Sequence, residues 1–286
     1  MIYGFFYILC MSFSSVLLEK AGLNFSPALT LVFGSLLALL YFNLINIKKL
    51  KQTYLACWHH KKETLLINCS VFIMWLATVY GIVYAGAAVF VFVFFATMGL
   101  TARLIEYMQQ HKKRLLFSIT TIIILLVIMV VFHVQPPLAT SKLKGISLGL
   151  LGGVVAYYYL RLSGQFMKKT EMRATQVLAI RFYFAVIFGY FFIPAEAISD
   201  LTPANIGFIF VIICLNLIIP LYFMQKAVGK AGSELTAILI SCTPLMTAVM
   251  EILVLQKVPH LDFLIYFIYV LVVSIPFIKK SRSRQQ

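Results

Sequence analysis

The sequence predicts an all-α membrane protein: ten transmembrane helices in two inverted five-helix repeats. Three observations predict it. Mean hydropathy is +0.97. Ten apolar runs of span length are separated by short polar connections. Basic residues concentrate in alternate connections. Hydrophobic residues make up 62% of the 286 positions and charged residues 12%, about half the charged share of a soluble domain. A soluble globule of this size would have to expose a greasy surface, which soluble monomers avoid. The composition equally excludes disorder, collagen and a disulfide scaffold. Ten spans of about 20 residues each leave connections too short to hold a soluble catalytic domain.

The spans run over about 3–18, 27–46, 64–83, 87–109, 113–133, 144–166, 174–194, 203–225, 232–255 and 262–279. The first lacks a basic leader and a small-residue cleavage site, so it reads as a retained helix. The fifth is largely Ile, Leu and Val past its basic start. The sixth carries Gly145, Gly149 and Gly153 on one face, a stripe that lets another helix approach closely. The eighth and ninth contain Pro220 and Pro244, which free the carbonyls of Asn216 and Ile240. At membrane depth such carbonyls need a partner or a wet cavity.

Orientation follows from charge. Lys48, Lys49, Lys51, Lys61 and Lys62 follow span two, and Lys112, Lys113 and Arg114 follow span four. Lys168, Lys169 and Arg173 follow span six, Lys226 and Lys230 follow span eight, and Lys279, Lys280, Arg282 and Arg284 end the chain. The opposite side has only Lys20, Lys142, Lys144 and Lys257. That bias predicts both termini in the cytoplasm of a bacterial inner (plasma) membrane. It also accounts for the net charge of +15 without nucleic acid, because no basic face is interleaved with stacking aromatics. Cys10, Cys57, Cys69, Cys214 and Cys242 show no CxxC spacing, so neither a metal nor a disulfide is expected.

An internal repeat organises the spans. Tyr84-Ala85-Gly86 leads into span four and Lys230-Ala231-Gly232 into span nine, placing Met98 opposite Pro244. Ser26-Pro27 enters span two and Arg173-Ala174 enters span seven, placing Gly34 opposite Arg181. Residues 1–135 and 142–286 therefore read as two copies. Five spans is an odd number, so the copies are inverted, which is a transporter signature with the solute site near the midplane.

On these residues, with Ala174–Phe182, Gly145 and Ala156-Tyr157, the chain resembles the EamA-like ten-span group of the drug/metabolite transporter superfamily. It departs from that pattern at Gln110-His111 and Gln256-Lys257, where the family often has Gly-Glu. The resemblance implies movement of small organic solutes, often amino acids or related metabolites.

The candidate site residues are mid-span polar and amphipathic groups. Trp75, Tyr157 and Tyr158 lie mid-span, away from an interfacial belt, and buried Trp or Tyr usually has a polar partner. Asn216, Ser241 and Thr243 would supply a polar patch beside the prolines, with Thr97 and Thr101 facing it from span four. Arg181 and Glu251 are candidates for a charge role. Arg181 lies about 10 Å into span seven, where it either snorkels, clamps another helix or meets solute. Glu251 is either an interfacial acid or a titrating carboxylate. Arg161 reads as a snorkeller, Arg103 and Glu106 as a local pair, Glu234 as favouring a helix N-terminus, and His59-His60 as solvated. No HExxH or GxSxG motif is present, so an enzyme is not expected.

The expected function is a secondary transporter moving a small polar metabolite, an amino acid or a derivative, by alternating access, without a cofactor. A nucleotide- or adenosyl-type carrier, a lipid flippase and a non-transporting membrane subunit are the alternatives. The expected partners are a small-molecule substrate and membrane lipid, with a homodimer as the candidate assembly. Spans five and ten, nearly devoid of polar groups, should be outer supports.

Overall fold

The computed structural model describes residues 2–22, 25–110, 114–200, 202–220, 222–224, 240–257 and 262–283. Among them every regular element is helical. The helices are α1 (Ile2–Gly22), α2 (Pro27–Ile45), the short α3 (Leu50–His59), α4 (Lys61–Ala85), α5 (Ala87–Gln110) and α6 (Arg114–His133). They continue with α7 (Ala139–Thr170), α8 (Ala174–Ile180), α9 (Tyr183–Tyr190), α10 (Pro203–Ile213), α11 (Thr243–Leu255) and α12 (Asp262–Ser283). Among the described residues seven helices are long and apolar enough to cross a membrane; shorter apolar helices cover Ala174–Tyr190, Thr243–Leu255 and Asp262–Ser274. The Glu234 and Ala231-Gly232 positions lie outside the described residues.

The local sequence explains where these helices start and turn. Pro27 and Pro203 each stand in a first turn, where the missing N–H would have had no helical partner. Thr202 Oγ1 accepts the Asn205 N–H at 3.3 Å, an ordinary N-cap. Gly86 alone links α4 to α5. Its φ of 92° is a conformation that side chains resist, and its N–H donates to the Ile82 carbonyl at 2.8 Å.

Lipid is as apolar as leucine, so close packing rather than water exclusion holds such helices together. The glycine stripe of α7 shows how. A Cβ at Gly145 would lie 2.5 Å from the Ala85 nitrogen, one at Gly149 2.9 Å from Val93, and one at Gly153 2.5 Å from the Phe94 carbonyl. These glycines let α7 run against α4 and α5 at backbone distance. One buried cluster gathers α5, α6 and α12 around Phe92, Met129 and Tyr266. A second gathers α2, α4, α8 and α9 around Phe42, Trp75 and Phe182. Outward, α6 shows Ile123, Ile124, Val127 and Val131, and α12 shows Leu264, Phe267 and Leu271.

Candidate functional site

The expected seventh span is not one continuous helix. It stops at Ile180 and restarts at Tyr183, with Arg181 and Phe182 at the break. A break leaves carbonyls without helical partners, and asparagines from other segments bond to the two just before it and to one near the start of α8. Asn43 Nδ2 donates to the Ala179 carbonyl at 2.9 Å, Asn46 Nδ2 to that of Thr175 at 3.0 Å, and Asn68 Nδ2 to that of Ile180 at 2.8 Å. Asn68 Oδ1 also accepts the Tyr183 N–H at 3.1 Å, so one side chain spans the gap. Arg181 is therefore held at a junction inside the protein, 6% exposed, and does not snorkel. Its Nη1 donates to the Tyr159 hydroxyl at 2.5 Å, and its guanidinium carbon lies 4.6 Å from the Phe182 ring centre. Its Nε is buried without a hydrogen-bond partner.

Irregularity recurs in the next two spans. α10 runs into a π-helical turn over Cys214–Ile218, which contains Asn216; such turns occur often at functional sites. Asn216 Nδ2 donates to Ser14 Oγ on α1 at 2.9 Å. Pro244 does not kink a continuous helix: a turn at Cys242 interrupts the chain, and Pro244 stands in the first turn of α11. The Ile240 carbonyl accepts from Thr243 Oγ1 at 2.5 Å, and Ser12 Oγ donates to the Thr243 carbonyl at 3.2 Å.

These junctions surround one cavity of about 630 Å³, walled by both halves of the chain. Trp75, Asn216, Thr243 and Arg181 all stand in its wall, between Phe90, Phe94, Met74 and Met98. Five expected residues do not. Tyr158 is 52% exposed, and Tyr157 packs edge-on against it; Tyr159 takes the wall position instead. Thr97 is buried behind the wall against Gly153, and Ser241 is buried outside it, interacting with Tyr269. Thr101 satisfies its own helix through the Thr97 carbonyl. Among the described residues, none of α6 or α12 lines the cavity. The wall reaches Met167 and Ala174, at the α7–α8 connection.

The opposite end, at Gly86, holds the buried acids. Glu19 Oε2 accepts the Ala87 N–H at 2.7 Å and Glu251 Oε1 accepts the Ala88 N–H at 2.7 Å. Two carboxylates from α1 and α11 thus cap the first turn of α5, where orphan N–H groups and the helix dipole favour negative charge. Lys257 pairs with Glu19, and Lys142 Nζ donates to the Ala85 carbonyl at 2.6 Å. Glu251 is 7% exposed, so it is a buried cap rather than an interfacial acid, and it lies outside the cavity wall.

The remaining candidates are peripheral. Arg103 and Glu106 do not come within ion-pair distance of each other. Arg161 is exposed. His60 lies 3.9 Å from Glu63, which pairs with Lys169 at 2.7 Å. On α3, Tyr54 donates to Asn43 Oδ1 at 2.6 Å and meets the Tyr183 hydroxyl; burial and that hydroxyl push the Tyr54 phenol above its usual range. No cluster of metal-ligating residues occurs among the described residues. Sequence reasoning missed Glu19, Tyr159 and the asparagines at 43, 46 and 68. Their one signal was polarity within or beside apolar runs.

Comparison with known proteins adds one family. No curated protein matches the chain. Residues 143–275 match the EamA-like transporter family, and with seven apolar helices of span length this marks an integral membrane protein. The chain carries an EamA-like transporter family domain at residues 143–275.

Proposed function

We propose that the protein is a secondary transporter that moves a small organic metabolite, an amino acid or amino-acid derivative, through this cavity by alternating access. The observation that carries the reading is the cavity itself. Its volume of about 630 Å³ suits a metabolite, both halves wall it, and interrupted helices meet beside it, as expected of transporter binding sites. In this reading residues 1–135 and 142–286 are inverted copies that rock about the site. Trp75, Asn216, Thr243 and Arg181 contact the solute, and Thr97 and Ser241 brace the wall. In this reading both termini, with the basic connections, lie in the cytoplasm of a bacterial inner membrane. The Glu19–Glu251 end then faces outward, and the cavity leans toward the cytoplasm.

The test is uptake and counterflow in proteoliposomes, using labelled amino acids and their deaminated and acylated derivatives. Saturable movement of at least one compound above protein-free vesicles is expected. Inactivity across the panel, with phospholipid scrambling instead, would replace this reading with a flippase.

A further inference from the structure

We infer that the cavity selects organic anions: a carboxylate on an apolar, preferably aromatic, body without a cationic group. The inference rests on the transporter reading of the same cavity and narrows its substrate class.

The donors are in surplus. A guanidinium has five N–H donors and no acceptor, and an indole has one donor and no acceptor. Arg181 gives one bond to Tyr159, and its Nε is buried with no partner. Trp75 Nε1, in the same wall, is likewise buried with no partner. Such groups are rarely left unmatched in protein interiors, and here the one missing partner type is an acceptor. Among the described residues, no Asp or Glu stands in the cavity wall. Four acids elsewhere are engaged: Glu19 and Glu251 at the start of α5, Glu63 with Lys169, and Asp262 with His133 at 2.9 Å.

A carboxylate would neutralise the guanidinium and accept from it in the strong charge-assisted geometry. Among the described residues an ammonium would find neutral dipoles but no counter-charge, and it would sit in the field of Arg181. The rest of the wall is aromatic and thioether surface from Phe90, Phe94 and Met98, which suits a flat apolar body. An amino acid would be matched at one end only. The expected order is anion, then zwitterion, then cation.

Three probes with one body separate these classes: 3-phenylpropionate, L-phenylalanine and 2-phenylethylamine. Binding of each labelled compound is measured on purified full-length protein in detergent, and uptake on the same preparation in proteoliposomes. The propionate should bind about ten-fold or more tightly than phenylalanine, and the amine should not compete. Arg181→Gln should weaken propionate binding about ten-fold or more, Arg181→Lys less, and Trp75→Phe about three-fold. Should the Arg181 variants not fold, Trp75→Phe and Tyr159→Phe carry the test. Glu234→Gln should leave propionate affinity within about two-fold; a ten-fold gain would mean Arg181 already has its counter-charge, and would overturn the proposal. Equal or tighter binding of the amine would overturn it, as would absence of propionate binding or indifference to Arg181→Gln. Propionate bound but never transported would instead sink the transporter reading and leave the site standing. Phenylalanine transported without propionate binding would do the reverse.

Discussion

At the turn between α4 and α5, two buried carboxylates each accept a backbone N–H, and Lys257 and Lys142 bond to Glu19 and the Ala85 carbonyl. In the cavity wall, a guanidinium equally buried has one hydroxyl and two ring faces for company. Both regions place charge where ionised groups are expensive. The difference is what the charge does. The acids complete the backbone of a helix start, so they belong to the fold. Arg181 gives one bond, to Tyr159, and keeps a buried Nε without a partner, which is what the ligand proposal rests on. A buried charge in a bundle of this kind becomes informative only after its partners are counted.

The comparison is broken most directly at the clamped end. Glu251→Ala leaves the Ala88 N–H buried without an acceptor. A charge-assisted bond of this type contributes about 2–3 kcal/mol, and thermal unfolding in detergent should show a loss of that size. Glu251→Gln keeps an acceptor and relieves repulsion from Glu19, so its loss should stay below about 1 kcal/mol. An Ala variant as stable as the parent would mean the clamp contributes nothing.

Next in size is the packing that brings the two regions together. Gly153→Ala puts a methyl group against the Phe94 carbonyl and the Met98 nitrogen. Backbone cannot retreat as a side-chain tip can, so a loss of about 1–3 kcal/mol is expected. Gly164, on the same helix, has nothing within 4 Å of its missing Cβ, and Gly164→Ala should be neutral or gain up to about 1 kcal/mol. Equal losses at both positions would show that helix propensity, not close approach, sets the effect.

Much of this architecture was legible in the chain. Apolar runs marked the helices, the glycine stripe marked the closest approach, and the depths of Trp75, Asn216, Thr243 and Arg181 pointed at the wall. What escaped depends on distant partners. Nothing in Ile180-Arg181-Phe182-Tyr183 signals a break, because no Pro or Gly is present; asparagines 112 to 136 positions away sustain it. Choosing Tyr159 over Tyr157 and Tyr158 needs the rotation of α7, since one residue turns a helix by about 100°. Glu251 read as either an interfacial acid or a titrating carboxylate, because its acceptor role requires an N–H 163 positions away.

Arg181 sharpens the contrast with Glu251. Without ligand, Arg181→Gln should change stability by less than about 1 kcal/mol, because the lost bond to Tyr159 is offset by removing an uncompensated buried charge. Saturating 3-phenylpropionate should then stabilise the parent and not the variant, as linkage requires. The measurement is the same thermal unfolding, with and without ligand. A collapse of the ligand-free variant comparable to Glu251→Ala would place Arg181 with the structural charges.

The smallest effect concerns which side of the membrane each region faces, and it leaves stability untouched. Cys57 on α3 lies beyond the end opposite the clamp, and Ser141 lies near the start of α7, beside Lys142 of the clamped end. In sealed vesicles, an impermeant maleimide should label Cys57 from one face only, and a Ser141→Cys variant from the other. Cys57 is half-buried, and that burial raises its thiol pKa, while a bond from Thr64 partly offsets the shift. The thiolate is the reacting form, so a raised pKa means less of it at neutral pH. Labelling of Cys57 should therefore run a few-fold slower than that of a free thiol at pH 7, and keep rising beyond about pH 8.5, where a free thiol begins to level off. A Cys57 rate that levels off with the free thiol would show that it is not shielded. Labelling of both positions from one face would put the clamped end and the α3 end on the same side, and the cavity would then not separate two compartments.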